Sequence, residues 1–171
     1  FTAVQLVQLS WMASPEYQGA YIFFVYAAIA LILGLQFGVL NLLFPKKLPL
    51  KTGDILLIGA VWTLIEWSRL FILCGFAFNP VGLALTAHPI PAQFISLWGI
   101  FGVSFWTIAT NLVTLNFFFA RSKGRGSICL GMLLFPYVFG VLHLYYHEGK
   151  EKEAISYNVA LIQTALFPDE K

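Results

Sequence analysis

Residues 94–120 read FISLWGIFGVSFWTIATNLVTLNFFFA, 27 positions without a charged side chain. A helix rises about 1.5 Å per residue and needs roughly 20 apolar residues to cross about 30 Å of hydrocarbon, so this stretch is long enough to span a bilayer. Three more stretches pass the same test: residues 20–44 and 127–146, which carry no charge, and residues 55–75, whose only charges are Glu66 and Arg69. Together the four hold more than half of the 171 residues. Composition agrees, since 59% of the chain is hydrophobic and only 11% charged, less than half of the roughly 25% usual in soluble domains. These features exclude a soluble enzyme, a disulfide-rich secreted module and a disordered tail. They predict an all-α polytopic membrane helix bundle with four full spans at 20–44, 55–75, 94–120 and 127–146.

Lysine and arginine in short loops mark the cytoplasmic side of a membrane protein. The loop after the first span carries Lys46, Lys47 and Lys51, and the loop after the third carries Arg121, Lys123 and Arg125. Residues 76–93 carry no charge and residues 13–19 only Glu16, so these segments and the tail after Tyr146 are expected outside. A net charge of +2 lacks the clustered basic face that nucleic acid would require. Cys74 and Cys129 fall toward opposite faces in this topology and are not expected to pair. Residues 1–12 are apolar but too short to span, and the sequence reads as a segment of a larger protein.

After a run of mixed charge from His147 to Glu153, residues 157–164 (YNVALIQT) form a short apolar stretch rich in β-favouring residues and followed by Pro168. This reads as one buried strand. A lone strand has too little core to fold. The expected organisation is therefore a transmembrane module over residues 1–153, then a linker and the truncated start of an extracytoplasmic domain over residues 154–171.

Glu66 and Arg69, three residues apart, share one helix face. A charge at mid-bilayer costs at least about 2.5 kcal/mol on insertion scales and usually faces a partner, a cavity or a site. Two readings stand: a self-neutralising pair that orients the helix, or a headgroup site in which the planar guanidinium of Arg69 holds a phospholipid phosphate. The second draws on depth, since Arg69 precedes Gly75 by six residues, about 9 Å along a helix. The outer loop GFAFNPVGLALTAHPIP, residues 75–91, has Gly75, Phe76, Phe78 and Asn79 and no charge. It is either a lipid-facing lid or a tight connection closed by Gly and Pro.

His143 and His147 have a spacing that could serve a metal, but no third ligand accompanies them, and beside Tyr145 and Tyr146 they read as an interfacial belt. No metal and no cofactor are expected. Gly34 and Gly38 form a GxxxG match suited to close helix packing, Pro136 is expected to kink the fourth span, and Asn41, Asn111 and Asn116 read as buried amides that bond across helices. No catalytic constellation is visible, whether a Ser/His/Asp set, a phosphate-cradling glycine motif or an activated cysteine.

Three segments in order resemble the apolipoprotein N-acyltransferase family of bacterial envelopes. Residues 62–80, WTLIEWSRLFILCGFAFNP, are similar to its helix with a Glu-aromatic-x-Arg core leading into an outer loop. Residues 99–111, GIFGVSFWTIATN, resemble its Gly-x-Tyr-Gly-x-Ser-Phe run ending in a membrane Asn, here Asn111. Residues 158–163, NVALIQ, resemble the first strand of the nitrilase-type, carbon-nitrogen hydrolase domain that follows the helices. Trp11, in LSWMASP, falls where the family tends to have a Trp at an outer boundary. Ala77 and Phe78 depart from the pattern, standing where the family usually has Pro and Trp.

The resemblance implies a multi-pass enzyme of the bacterial cell inner membrane with its C-terminal domain on the periplasmic side. In the family a Cys, assisted by a Glu and a Lys, takes a fatty acyl chain from a phospholipid acyl donor as a thioester. It then passes the chain to the α-amino group of the diacylglyceryl-cysteine that begins an apolipoprotein. A thiolate nucleophile divides one hard transfer into two easier ones. Those three residues lie beyond the first nitrilase strand, so no catalytic residue is expected before Lys171, and the segment alone is expected to be inactive. Its candidate lipid- and substrate-binding residues are Arg69, Glu66, Gly75, Phe76, Phe78, Asn79 and Asn111. The partners implied are the phospholipid, the diacylglyceryl apolipoprotein and membrane lipid, with no nucleic acid. The alternative is a non-catalytic polytopic module, either a transporter segment or the membrane anchor of another transferase.

The loop charges set a topological expectation. Single-cysteine variants at Thr86 and Ser156 should react with an impermeant thiol reagent added outside sealed cells, and variants at Lys47 and Ser122 should not. Labelling of the latter pair from outside would reverse the orientation.

Overall fold

The computed structural model describes residues 1–14, 19–72, 75 and 79–148, and all regular structure among them is helical. In chain order the elements are α1 (Thr2–Gln8), a 3-10 turn (Ser10–Met12), α2 (Ile22–Leu43), α3 (Thr52–Ser68), a 3-10 segment (Val81–Ala87), α4 (Pro89–Ala92), α5 (Ile95–Phe119) and α6 (Lys123–Glu148). The strand and domain start expected over residues 154–171 lie outside the described residues.

Three helices are long and apolar enough to cross a membrane, Ile22–Leu43, Ile95–Phe119 and Lys123–His147. They take up the expected spans at 20–44, 94–120 and 127–146. The stretch expected to span at 55–75 instead holds a helix of 17 residues, Thr52–Ser68, about 25 Å long at 1.5 Å per residue and so short of a full crossing. It ends where the chain tightens. The Ser68 hydroxyl donates to the Ile65 carbonyl at 2.9 Å, the Leu70 and Phe71 amides bond to carbonyls only three residues back, and Gly75 turns at φ +78°. Leu70, Phe71 and Ile72 are apolar, but their backbone is already committed to turns.

The chain divides into two compact units, Phe1–Gly38 and Val39–Lys150, at a boundary within α2. In the first unit α1 lies against α2. Thr2 approaches Gly34 so closely that a Cβ there would overlap it, whereas Gly38 has open space around it. Half of the GxxxG match thus serves close packing, and its partner is the short α1. The Tyr26 hydroxyl donates to the Leu6 carbonyl, and the rings of Phe1 and Phe37 stack with centroids 3.7 Å apart.

In the second unit α5 is the central element and packs against α3, α6 and the 3-10 segment. Gly59 of α3 admits the Phe105 ring, and the Trp106 indole donates to the Met132 carbonyl of α6 at 3.2 Å. Phe94, fully buried, has ring centroids of Trp98, Trp106, Phe135 and Phe139 within 5.3 to 5.9 Å, all edge-on. That geometry suits the aromatic quadrupole. Asn116 is the buried amide that bonds across elements, accepting from the Leu50 amide at 2.7 Å and donating to the Leu50 carbonyl at 2.8 Å. It fixes the start of α3 against the end of α5. Asn111 is exposed and returns to the Thr107 carbonyl of its own helix at 2.9 Å, so it makes no such bridge. Cys129 is buried and free beside the Thr114 hydroxyl at 3.2 Å, and Cys74 lies outside the described residues.

The helices face outward with apolar side chains, among them Phe24, Leu42, Leu64 and Leu142. Exposure of this kind suits a hydrocarbon solvent, which offers no hydrogen bonds. Hydroxyls on the helices accordingly turn inward to their own backbone, as Thr63, Thr107 and Thr114 do at 2.8 to 2.9 Å. Pro136 is buried within α6, and the helix continues through it.

The short α4 is pressed onto α6 where Gly140 meets the Ile90 carbonyl. A Cβ at Gly140 would overlap backbone, which cannot swing aside as a side chain tip can. Gly140→Ala should therefore lower stability by about 1–3 kcal/mol, read as a fall in the detergent melting temperature. Gly131→Ala, at a helix position with open space, should leave it unchanged or slightly raised.

Candidate functional site

Glu66 lies in the last turn of α3 and is 2% exposed. Trp62, four residues earlier and so on the same face, donates from Nε1 to Glu66 Oε1 at 2.7 Å. The Val81 amide, fifteen residues further along the chain, donates to the same oxygen at 2.7 Å. Arg69 Nη2 stands 3.9 Å from it. Two short charge-assisted hydrogen bonds outrank one longer ionic contact. The carboxylate is thus chiefly an anchor for an indole and for the segment that begins at Asn79, and the Arg69 pairing is secondary.

Arg69 is only 6% exposed, so its guanidinium is enclosed by protein rather than standing free at the surface. Two polar atoms of the pair, Glu66 Oε2 and Arg69 Nε, are buried without a hydrogen-bond partner. Each such atom costs about 1–3 kcal/mol of desolvation and more when charged. A buried acceptor and a buried donor therefore remain open within one ion pair.

That segment, expected outside from the loop charges, is docked through its backbone. Gly75 at φ +78° and Asn79 at φ +60° adopt left-handed conformations, which glycine and asparagine tolerate best. Pro80 is buried. The Gly82 amide donates to Ser104 Oγ of α5 at 2.9 Å. A Cβ at Gly82 would sit 2.7 Å from the Ile100 carbonyl and 2.8 Å from the Ser104 amide, so only glycine permits this approach. Of the two sequence readings of the loop, the described part from Asn79 onward matches a packed connection rather than a free lid. Further on, His88 caps α4, and Gln93 Oε1 stands 3.1 Å from His143 Nδ1. The His143 and His147 rings are 4.4 Å apart, and among the described residues no group of three or more His, Cys, Asp or Glu is placed to hold a metal.

The expected site residues are gathered in part. Glu66 and Arg69 are in contact, and Gly75 and Asn79 are the turning points of the segment that Glu66 anchors. Asn111 lies seven residues along α5 from Ser104, about 10 Å, and is not gathered with them. Phe76 and Phe78 lie outside the described residues. Trp62, Val81, Gly82 and Ser104 belong to the site but were not singled out in the sequence. Trp62 had a signal, its spacing of four from Glu66. Val81 and Gly82 act through backbone amides, which no side-chain pattern reports.

A family model described as "Apolipoprotein N-acyltransferase N-terminal domain" matches residues 1–113. The chain belongs to the apolipoprotein N-acyltransferase family. It is 30% identical over 161 residues to the apolipoprotein N-acyltransferase of Chlamydia caviae, covering 93% of this chain and 30% of that protein. It is 29% identical over 168 residues to that of Chlamydia pneumoniae, covering 96% and 31%. To that of Thermotoga maritima it is 28% identical over 140 residues, covering 82% and 26%. No solved structure matches the chain. It spans about three-tenths of the length of these two chlamydial apolipoprotein N-acyltransferases. The family match takes in Glu66, Arg69, Gly82 and Ser104, and so the whole anchored segment.

Removing the anchor should release that segment. Glu66→Ala strips the Val81 amide of its acceptor and leaves Arg69 buried and unpaired, a change worth about 3–5 kcal/mol. Glu66→Gln keeps an Oε1 acceptor for both donors. Hydrogen exchange at the Val81 and Gly82 amides should quicken markedly in Glu66→Ala and little in Glu66→Gln. Equal protection in the alanine variant would remove Glu66 from this role.

Proposed function

We propose that this chain is the membrane part of an apolipoprotein N-acyltransferase. The complete enzyme transfers a fatty acyl chain from phospholipid, by way of an enzyme thioester, to the N-terminal diacylglyceryl-cysteine of apolipoproteins. The helices position acyl chains in the inner membrane, and the anchored segment forms the rim where the phospholipid donor meets the nitrilase-type domain on the periplasmic side. The Cys, Glu and Lys of that domain carry the covalent steps. The segment of 171 residues supplies lipid positioning and is inactive alone.

Family membership supports the reaction class. The observation that supports a lipid-handling role for this region is the buried Glu66–Arg69 pair with its open Oε2 and Nε. A guanidinium with an uncommitted donor suits a phosphate oxygen, and because Arg69 is buried its side chain must shift toward the lipid to make that contact, whose worth the apolar surround raises by lowering the local dielectric. Glu66 Oε1 holds the Val81 amide and stands 3.9 Å from Arg69 Nη2, so the carboxylate positions and Arg69 binds.

The reaction is tested on the protein extended to the length of its relatives. Given a phospholipid with a labelled acyl chain and a diacylglyceryl-cysteine peptide, it should pass label to the peptide amine through a hydroxylamine-sensitive enzyme adduct, and residues 1–171 should not. Failure of the extended protein would favour a non-catalytic membrane anchor, and an adduct on Cys129 of the segment would misplace the chemistry. The role of Arg69 is tested separately. Arg69→Ala should lower expression because Glu66 loses its counter-charge, and Glu66→Gln with Arg69→Ala should restore folding, since Gln keeps the Trp62 and Val81 bonds. Adduct formation from phospholipid should stay at least about tenfold slower in the double variant, the loss of one charged hydrogen bond, with transfer from preformed adduct unchanged. Full activity in a well-folded double variant would leave the pair as architecture.

A further inference from the structure

At the other end of the second unit, where α3 begins, α5 ends and α6 begins, a cavity of about 700 Å³ lies between these three helices. Its wall is apolar, formed chiefly by Ile55, Phe105, Trp106, Ala109, Val113 and Met132. Its mouth is basic, carrying Lys51 and Arg125. We propose that this groove holds one phospholipid of the adjoining leaflet, with an acyl chain along α5 and the phosphate between Lys51 and Arg125. The inference is independent of the Glu66–Arg69 site.

Depth favours an acyl chain. From Asn116 at the mouth to Phe105 at the inner end is eleven residues of α5, about 16 Å, close to half of the roughly 30 Å hydrocarbon core. The groove is thus as deep as one leaflet. Its volume falls within the roughly 300–1,000 Å³ of ligand sites, and of its lining residues Ile55 and Ala109 are buried while Leu56 and Ile128 are exposed.

Charge favours a phosphate at the mouth. Asn116 spends its amide on both backbone groups of Leu50. The Asp54 carboxylate accepts the Lys51 backbone amide at 2.9 Å and keeps its charge, so Lys51, Arg125 and Asp54 together leave one net positive charge at the mouth. The Ala120 carbonyl at the end of α5 accepts from Arg125 Nη1 at 2.8 Å, which holds the guanidinium in place. Among the described residues neither Lys51 nor Arg125 makes an ion pair. The N-termini of α3 and α6 end at the same mouth and add positive potential. A free phosphate would use the charges and leave the apolar depth empty, and a neutral lipid would do the reverse.

The test uses the 171-residue chain in mild detergent, titrated with phosphatidylglycerol and followed by native mass spectrometry. One lipid should bind saturably, a diacylglycerol of the same chains should bind about tenfold or more weakly, and excess inorganic phosphate should not displace the phospholipid. Lys51→Gln with Arg125→Gln should weaken binding by about tenfold, whereas Arg121→Gln with Lys123→Gln, an equal loss of charge outside the groove, should not. Equal binding of diacylglycerol, displacement by phosphate, or an equal effect of the two double variants would overturn the proposal. Should the Lys51 and Arg125 variant fail to fold, a brominated-chain phosphatidylglycerol decides it. Saturable quenching at one equivalent that disappears in Trp106→Phe supports the site, and quenching that is absent or unchanged in that variant refutes it.

Discussion

A carboxylate held in low dielectric must be given hydrogen bonds, and the second unit is arranged around meeting that demand at Glu66. Its Oε1 accepts from Trp62 of its own helix and from the Val81 amide. The second bond draws the outer segment back against the end of α3. Once Val81 is held, Gly82 falls against α5, where Ser104 takes its amide, and the chain is directed through α4 onto α6. Burying a charge without these donors would cost several kcal/mol, so the same bonds that keep the carboxylate also set the path of the chain.

The rest of the fold answers to the same constraint with neutral groups. In a solvent that offers no hydrogen bonds, each polar side chain must find a partner within the protein. Threonines return to their own helix, and Asn116 closes both backbone groups of Leu50 at the start of α3. Close backbone approaches do what bulky side chains do in a soluble core. Gly140 lets α4 onto α6, and Gly82 lets the outer segment onto α5. Among the described residues Glu66 Oε2, Arg69 Nε and the Thr110 hydroxyl are buried without a hydrogen-bond partner, and two of these three atoms belong to the ion pair.

The two ends of the second unit therefore differ in kind. One has a buried ion pair with open valences beside a docked, uncharged segment. The other has an apolar groove with two cationic side chains, Lys51 and Arg125, among its lining residues. The family match, over residues 1–113, takes in the first end whole and the α3 and α5 walls of the second, but not Arg125.

Composition and hydropathy alone determined that the chain is helical and membrane-embedded, because the hydrocarbon length and the absence of charge leave few alternatives for residues 20–44, 94–120 and 127–146. The motifs around Glu66 and residues 99–111 pointed to the family, and the family model bears this out. Hydropathy could not tell where α3 would stop, since the run resumes as Leu70, Phe71 and Ile72 beyond Arg69, as apolar as the residues before Glu66. That depended on backbone turns and on a carboxylate reaching a segment fifteen residues away. Nor could it rank the partners of Glu66. Spacing made Arg69 the obvious one, but the tertiary structure brought the Val81 amide to 2.7 Å and left Arg69 at 3.9 Å. Backbone amides carry no sequence signature, so a site built from them becomes visible only when the chain has closed on itself.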